Sequence, residues 1–288
     1  MTQNLLDRIV LFGRMIKFSH TVFALPFAMA ALVIAYENHP FSWLDLFWII
    51  LAMVGARSAA MGFNRIVDAE IDARNARTAI REIPSGKLSK KEAVLFVSGS
   101  SLLFFLSAAM LSKLCFYLSF PVMFFLLFYS YTKRFTQYCH IFLGFAISLA
   151  PAGAYVAVTD TLSLGIVCLS LALMTYIAGF DILYACQDIE FDQKEALFSL
   201  PSKLGAQKAM QISSVLHIIT FACFLVMYLV LGLHPVFLIF LGVIGILLIV
   251  EHRLVRPDNL SHIHIAFFHI NSVISVLLFA GILVQALV

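Results

Sequence analysis

The chain has 288 residues, of which 62% are hydrophobic and only 12% charged, with a formal net charge of +3. An ordinary soluble domain is roughly half apolar and about a quarter charged, so this composition excludes a water-soluble globular domain. It points to an all-α, polytopic membrane protein, with no reason to expect a nucleic-acid partner.

Nine stretches are long and apolar enough to cross a bilayer, which takes about 20 residues. In chain order they are expected at 18–36, 43–63, 93–111, 115–131, 139–158, 161–180, 211–231, 235–250 and 264–287. Open strand edges cannot survive in lipid, so these are helices, and residues 1–288 are expected to form a single membrane domain. Five scattered cysteines (Cys115, Cys139, Cys168, Cys186 and Cys223) form no CxxC pair and read as small apolar packing residues. The polar N-terminus carries no recognisable cleavable signal.

Charge orients the spans. Of the 19 basic residues, all but Arg57 and Lys113 lie before the first span or in the second, fourth, sixth and eighth connections. The positive-inside rule then puts the N-terminus and those connections in the cytoplasm and, after nine spans, the C-terminus outside. The expected location is the inner (cytoplasmic) membrane.

Two cytoplasmic connections, about 64–92 and about 181–210, are long and polar, and each opens with acids at helical spacing. Arg57, Asn64 and Asp68 fall within about 40° of one another on a helix, and Asp72 follows Asp68 by four residues. Glu70 points elsewhere. In "FDILYACQDIEFD", Asp181, Asp188 and Asp192 stand at i, i+7 and i+11 and are expected on one face with Tyr184. Such acids are either solvated helix ends balancing nearby cations or ligands of a hard divalent ion. Two such ladders on one side of the membrane favour the second reading: Mg²⁺ binds through one or two carboxylates together with substrate phosphates.

These segments resemble the UbiA superfamily of intramembrane prenyltransferases. The family motif NDxxDxxxD is met by "NRIVDAEID" (Asn64 to Asp72), and its DxxxD by "DIEFD" (Asp188 to Asp192). The similarity continues through "RTAIREIPSGKLS" (Arg77 to Ser89), "YSYTKRFT" (Tyr129 to Thr136), "LAPAGAYVAV" (Leu149 to Val158) and "SLPSKLG" (Ser199 to Gly205), so it covers nearly the whole chain. One position departs: Arg65 stands where the motif has its first acid. This Asn-Arg form is similar to UbiA-like proteins of quinone synthesis, including the futalosine route to menaquinone.

The resemblance implies nine helices around a central cavity and Mg²⁺-dependent transfer of a polyprenyl group from polyprenyl diphosphate to a small aromatic acid. Asn64, Asp68, Asp72, Asp188 and Asp192 would hold two Mg²⁺ ions, with the four aspartates central to catalysis. Arg65, Arg77 and Lys133 would meet the diphosphate, and Arg134 the acid's carboxylate. Arg57, a charge within a span, would fix Asp68 or a substrate oxygen, or form a structural ion pair. Asp181 would orient a ring hydroxyl or pair with Arg57, and Tyr184 would face the allylic cation. A secondary transporter is the alternative from another class; it would favour midplane sites in broken helices and inverted repeats. The CDP-alcohol phosphotransferases share Asp ladders and Mg²⁺, but their DGxxAR run is missing here.

Overall fold

The computed structural model describes residues 5–288, so the extreme N-terminus lies outside the described residues. Among them the regular structure is helical, and nine helical runs are long and apolar enough to cross a membrane, as the hydropathy pattern requires. The chain is all-α and polytopic. Its residues gather into two compact units, one made of the N-terminal residues to Thr21 with Trp43–Tyr131, the other of Val22–Ser42 with Thr132–Val288.

The first unit contains α1 (Leu5–Met15), α3 (Trp43–Arg74), α4 (Lys90–Leu111) and α5 (Lys113–Thr132). Helix α3 packs along α4, and small residues permit the close approach. A Cβ on Gly55 would lie 2.8 Å from both Phe104 N and Ser100 O of α4. A capping box starts α4: Ser89 Oγ accepts from Glu92 N, and the Glu92 carboxylate accepts from Ser89 N. Glu92 also pairs with Arg8, which ties α1 to the start of α4. Met15 and Ile16 at the end of α1 pack with Ala69, Ile83, Leu88 and Ala93, while the Phe12 and Phe96 rings stack at 4.7 Å.

The second unit contains α2 (Leu25–Tyr36), α6 (Cys139–Thr159), α7 (Leu164–Ala185), α8 (Ile189–Lys194), α9 (Leu200–Leu231), α10 (Phe237–Leu254) and α11 (Asn271–Leu287). Its axis is α7, buried along most of its length and packed mainly against α6 and α9. Gly144 of α6 lies against the α7 backbone at Met174 O, and Gly179 of α7 leaves room for the His217 ring of α9.

The spans lie close to expectation, with instructive differences at the polar ends. Helix α3 does not stop near 63 but runs to Arg74, so much of the expected 64–92 connection is helix. Likewise α9 begins at Leu200 rather than 211. Ser199 caps it through Ser202 N, Pro201 occupies its first turn, and Gly205 interrupts it with a left-handed φ of 79°. Polar composition marks where lipid ends, whereas helical hydrogen bonding continues until a cap or breaker stops it.

Gly144→Ala should destabilise the protein by about 1–3 kcal/mol, because the added methyl meets backbone rather than a mobile side chain. Gly153→Ala, on the same helix with open space around it, should be neutral or mildly stabilising. Thermal unfolding of the detergent-solubilised variants compares the two.

Candidate active site

The first acidic cluster forms at the polar end of α3. Asp68 and Asp72 are 2% and 4% exposed, so they are not solvated helix ends. Asn64 Nδ2 donates to Asp68 Oδ2 at 3.1 Å across one helical turn. Arg81 Nη1 donates to both Asp72 carboxylate oxygens, at 2.7 and 2.6 Å. The turn after α3 brings Arg81 back onto the helix: Thr78 Oγ1 donates to the Asp72 carbonyl, and Arg77 N donates to Asn75 Oδ1. Glu70 faces outward and pairs with Lys90 at 3.0 Å.

Two arginines of α3 reach the end of α1. Arg65 is 6% exposed, and its Nε donates to the Met15 carbonyl at 3.1 Å. Arg57 Nη2 donates to the Lys17 carbonyl at 2.9 Å, while its buried Nε has no protein acceptor. A helix C-terminus leaves carbonyls unsatisfied and favours cations, which accounts for the Met15 contact, whereas the Lys17 carbonyl, beyond the helix end, also accepts from His20 N at 2.9 Å. Arg57, for which Asp68, a substrate oxygen and a structural ion pair are the alternatives, thus meets backbone here. Arg65 acts first as a clamp between α1 and α3. Burial, followed by the charges of Arg65 and Arg81, holds the Lys17 ammonium below its usual pKa. Tyr129, near the end of α5, lies within electrostatic range of Arg57, Arg65 and Asp68. This end of the unit is a region of crowded positive charge around two buried acids.

The second acidic cluster lies at the end of α7. Asp181, Asp188 and Asp192 do not share a continuous helix face as expected. Helix α7 ends at Ala185, a tight 3₁₀ turn covers Cys186–Asp188, and α8 begins at Ile189. The 3₁₀ turn carries about 3 residues per turn instead of 3.6, so the i, i+7, i+11 register is lost there. The Asp181 carboxylate is 2.7 Å from His140 Nδ1 of α6. The Tyr184 ring packs against Phe267 with centroids 4.2 Å apart and the planes tilted by 33°. Asp192 Oδ2 accepts from Ser199 Oγ at 2.9 Å, and the Asp192 carbonyl accepts from Leu197 N at 2.8 Å. Asp188, Lys133 and His140 all act electrostatically on Asp192. The Lys133 carbonyl accepts from Phe198 N at 2.7 Å, anchoring the connection before α6 to the one before α9. Arg134 lies exposed in that first connection.

Each cluster thus contains members that sequence reading did not single out. Arg81 was visible only as one basic residue among many, and its partner nine positions back is reached through a turn. His140 sits in an apolar stretch with no local signal. Ser199 could have been identified as a cap from the Ser-Leu-Pro-Ser order. Among the described residues, no three or more His, Cys, Asp or Glu side chains gather closely enough to hold a metal ion by themselves.

The sequence model of the UbiA prenyltransferase family matches residues 24–273. The 4-hydroxybenzoate octaprenyltransferase of Nitrosomonas eutropha is 30% identical over 243 residues, covering 83% of each chain. That of Nitrosomonas europaea is 31% identical over 245 residues, 83% of this chain and 81% of that protein. The apo structure of a UbiA homologue from Aeropyrum pernix K1 superposes with a TM-score of 0.83 at 30% identity, covering 92% of this chain and 97% of that one. A UbiA homologue from Archaeoglobus fulgidus bound to GPP and Mg²⁺ shares the fold, with a TM-score of 0.68 at 18% identity over 96% of this chain and 100% of that one.

His140→Leu removes the partner of Asp181 and should lower stability by roughly 1–3 kcal/mol. Adding Asp181→Asn to His140→Leu should recover part of that loss, because the stranded charge is then gone. Chemical denaturation of the two single variants and the double variant measures the coupling.

Proposed function

Because the chain belongs to the UbiA prenyltransferase family, and is thus a membrane-embedded prenyltransferase, we propose that it joins a polyprenyl chain to an aromatic acid. The donor is polyprenyl diphosphate. The acceptor is of the 4-hydroxybenzoate or 1,4-dihydroxy-6-naphthoate type, and the product serves respiratory quinone synthesis. The relatives named 4-hydroxybenzoate octaprenyltransferase support the first acceptor, and the Asn64-Arg65 form of the motif keeps the second in view. The observation that carries the reading is the burial of Asp68 and Asp72 amid cations at the polar end of an apolar helix. That is an environment for a polyanion whose tail is as apolar as lipid.

Magnesium fits the donor set. The acids offer hard oxygen ligands, and Mg²⁺ takes only one or two carboxylates and completes its shell with phosphate oxygens and water. Asp68 and Asp72, with Asn64 orienting Asp68, are the residues that would hold one ion, and Asp188 with Asp192 those that would hold a second. When bound, the ion supplies positive charge that stabilises the departing diphosphate. The chain's own groups do the rest. Arg77, Arg81 and Lys133 add charge to the leaving group. Arg57 presents a buried Nε donor to a substrate oxygen. Asp181, held by His140, orients the ring hydroxyl, and Arg134 receives the acid's carboxylate. The half-buried Tyr184 ring turns a π-face to the allylic carbon as its charge develops. Water must be kept from that carbon, or the chain is released as an alcohol. Arg65 is assigned to holding α1 on α3 rather than to diphosphate. The cation-rich ends and the N-terminal side face the cytoplasm of an inner-membrane protein, and the C-terminus faces the other side.

Membranes containing the protein, given a long polyprenyl diphosphate, a panel of aromatic acids and Mg²⁺, should form a prenylated acid detectable by mass spectrometry. Chelation should stop the reaction and added Mg²⁺ restore it. Asp68→Asn and Asp188→Asn should each lower turnover by roughly 100-fold or more while eluting as folded protein on size exclusion. Wild-type-like turnover in either variant defeats the assignment of these acids. Solute uptake without any prenylated product would favour a transporter.

A further inference from the structure

Within the second unit, an ionisable side chain and an amide are wholly buried between helices. Glu251 of α10 and Asn271 of α11 are each 0% exposed. An ionisable group inside a membrane bundle is costly and calls for a functional account. Asn271 Nδ2 donates to Glu251 Oε1 at 2.8 Å, to the Ala266 carbonyl at 3.0 Å and to the Phe267 carbonyl at 3.2 Å. The second Glu251 oxygen lies 3.5 Å from His217 Nδ1. Tyr176 of α7 donates its hydroxyl to the Asn271 carbonyl at 2.8 Å.

The two carbonyls that Asn271 serves belong to an unusual element. Residues Ile265–Ile270 form a turn of π-helix that runs directly into α11. Such turns are wider than an α-helix, weaken local hydrogen bonding and occur mostly at functional sites. Here the turn presents Phe267 to three rings. Its centroid lies 4.2 Å from Tyr184, 5.3 Å from Phe180 and 5.5 Å from Phe23. Phe267 and Tyr184 are only half-buried, so this aromatic wall keeps an open side. Tightening the turn to regular α-helix would rotate Phe267 off Tyr184, since each residue of a π-turn subtends a smaller angle about the axis.

The geometry points to Asn271, held by Glu251, as a positioning residue for prenyl transfer: its amide stabilises the π-turn that sets Phe267 against Tyr184. This rests on the role of Tyr184 given above and extends it to residues that touch no substrate. The carboxylate fixes the amide, the amide bonds the two carbonyls, and the carbonyls fix the aromatic wall. A small misplacement of that wall is expected to cost turnover more than donor binding, because the diphosphate is held elsewhere.

The test uses full-length protein in detergent or nanodiscs, labelled with fluorotyrosine; Tyr184→Phe assigns the Tyr184 resonance. Asn271→Ala and Glu251→Leu should each lower kcat by about 10- to 100-fold per folded molecule, with little change in KM for polyprenyl diphosphate. Both should shift the Tyr184 fluorine resonance as the Phe267 ring moves. Glu251→Gln keeps an oxygen acceptor for Asn271 and should stay close to wild type in both readouts. Wild-type kcat in Asn271→Ala, or an unmoved Tyr184 resonance in that variant, overturns the proposal. So does a Glu251→Gln variant as impaired as Glu251→Leu, since acceptor geometry would then not be what matters. Failure of the wild type to prenylate any acceptor would defeat the prenyl-transfer reading itself, whereas the fluorine shifts would still decide whether Asn271 sets the ring contact.

Discussion

A carboxylate removed from water must meet a cation or several donors, and stranding it costs several kcal/mol. The polar chemistry at the end of α3 follows from that constraint. Asp68 and Asp72 are buried at the boundary of an apolar helix, and the chain surrounds them with Asn64, Arg81 and the cations close by. Burial, followed by the charges of Arg65 and Arg81, holds Lys17 below its ordinary pKa, so cations crowd this end of the unit. Such a site is complementary to a polyanion. Arg81 serves as the counter-ion of Asp72.

The second unit solves a different problem, which is how to keep a functional helix end precise within a soft apolar medium. Lipid gives little drive for one apolar helix to choose another, so precision comes from close backbone contact and from polar bonds between helices. Helix α7 has both. Gly144 and Gly179 let α6 and α9 approach its backbone. Ser213 Oγ donates to the Gly179 carbonyl at 2.7 Å, and Thr175 meets Thr220 at 2.8 Å. The residues that leave α7 at its polar end, Asp181 and Tyr184, inherit that rigidity. Beyond Ala185 the backbone is re-pinned by the Ser199 cap, which bonds both the start of α9 and the Asp192 carboxylate. One serine thus couples helix initiation to placement of a site acid.

How much of this was legible beforehand depended on whether the signal was local. The nine spans were readable because length and hydropathy determine them. The face shared by Asn64, Asp68 and Asp72 was readable because it lies within one unbroken helix. Asp181, Asp188 and Asp192 were projected with the same rule and failed it, since nothing in "YACQD" announces a 3₁₀ turn. Partner choice was the least legible. His140 lies 41 positions from Asp181 and Arg81 nine positions from Asp72, and both pairings are set by tertiary packing or by a turn with no simple periodicity. The π-turn at Ile265–Ile270 was likewise invisible, because "IAFFHI" carries no breaker and is held open by Asn271 and, at a distance, by Glu251.

Arg65 shows how a motif departure becomes intelligible only in three dimensions. Read as a line of letters, an arginine in place of the first acid removes a possible metal ligand and adds a cation of uncertain purpose. In the fold, position 65 faces the C-terminal end of α1, where a carbonyl lacks its helical donor. A carboxylate there would confront the Met15 carbonyl and the negative end of the α1 dipole, whereas a guanidinium satisfies both. The substitution therefore fits a structural role in the way α1 closes on α3, and Arg57, two turns earlier, also meets backbone, at the Lys17 carbonyl. Both arginines thus meet backbone carbonyls, and the departure leaves the spacing and burial of Asp68 and Asp72 intact.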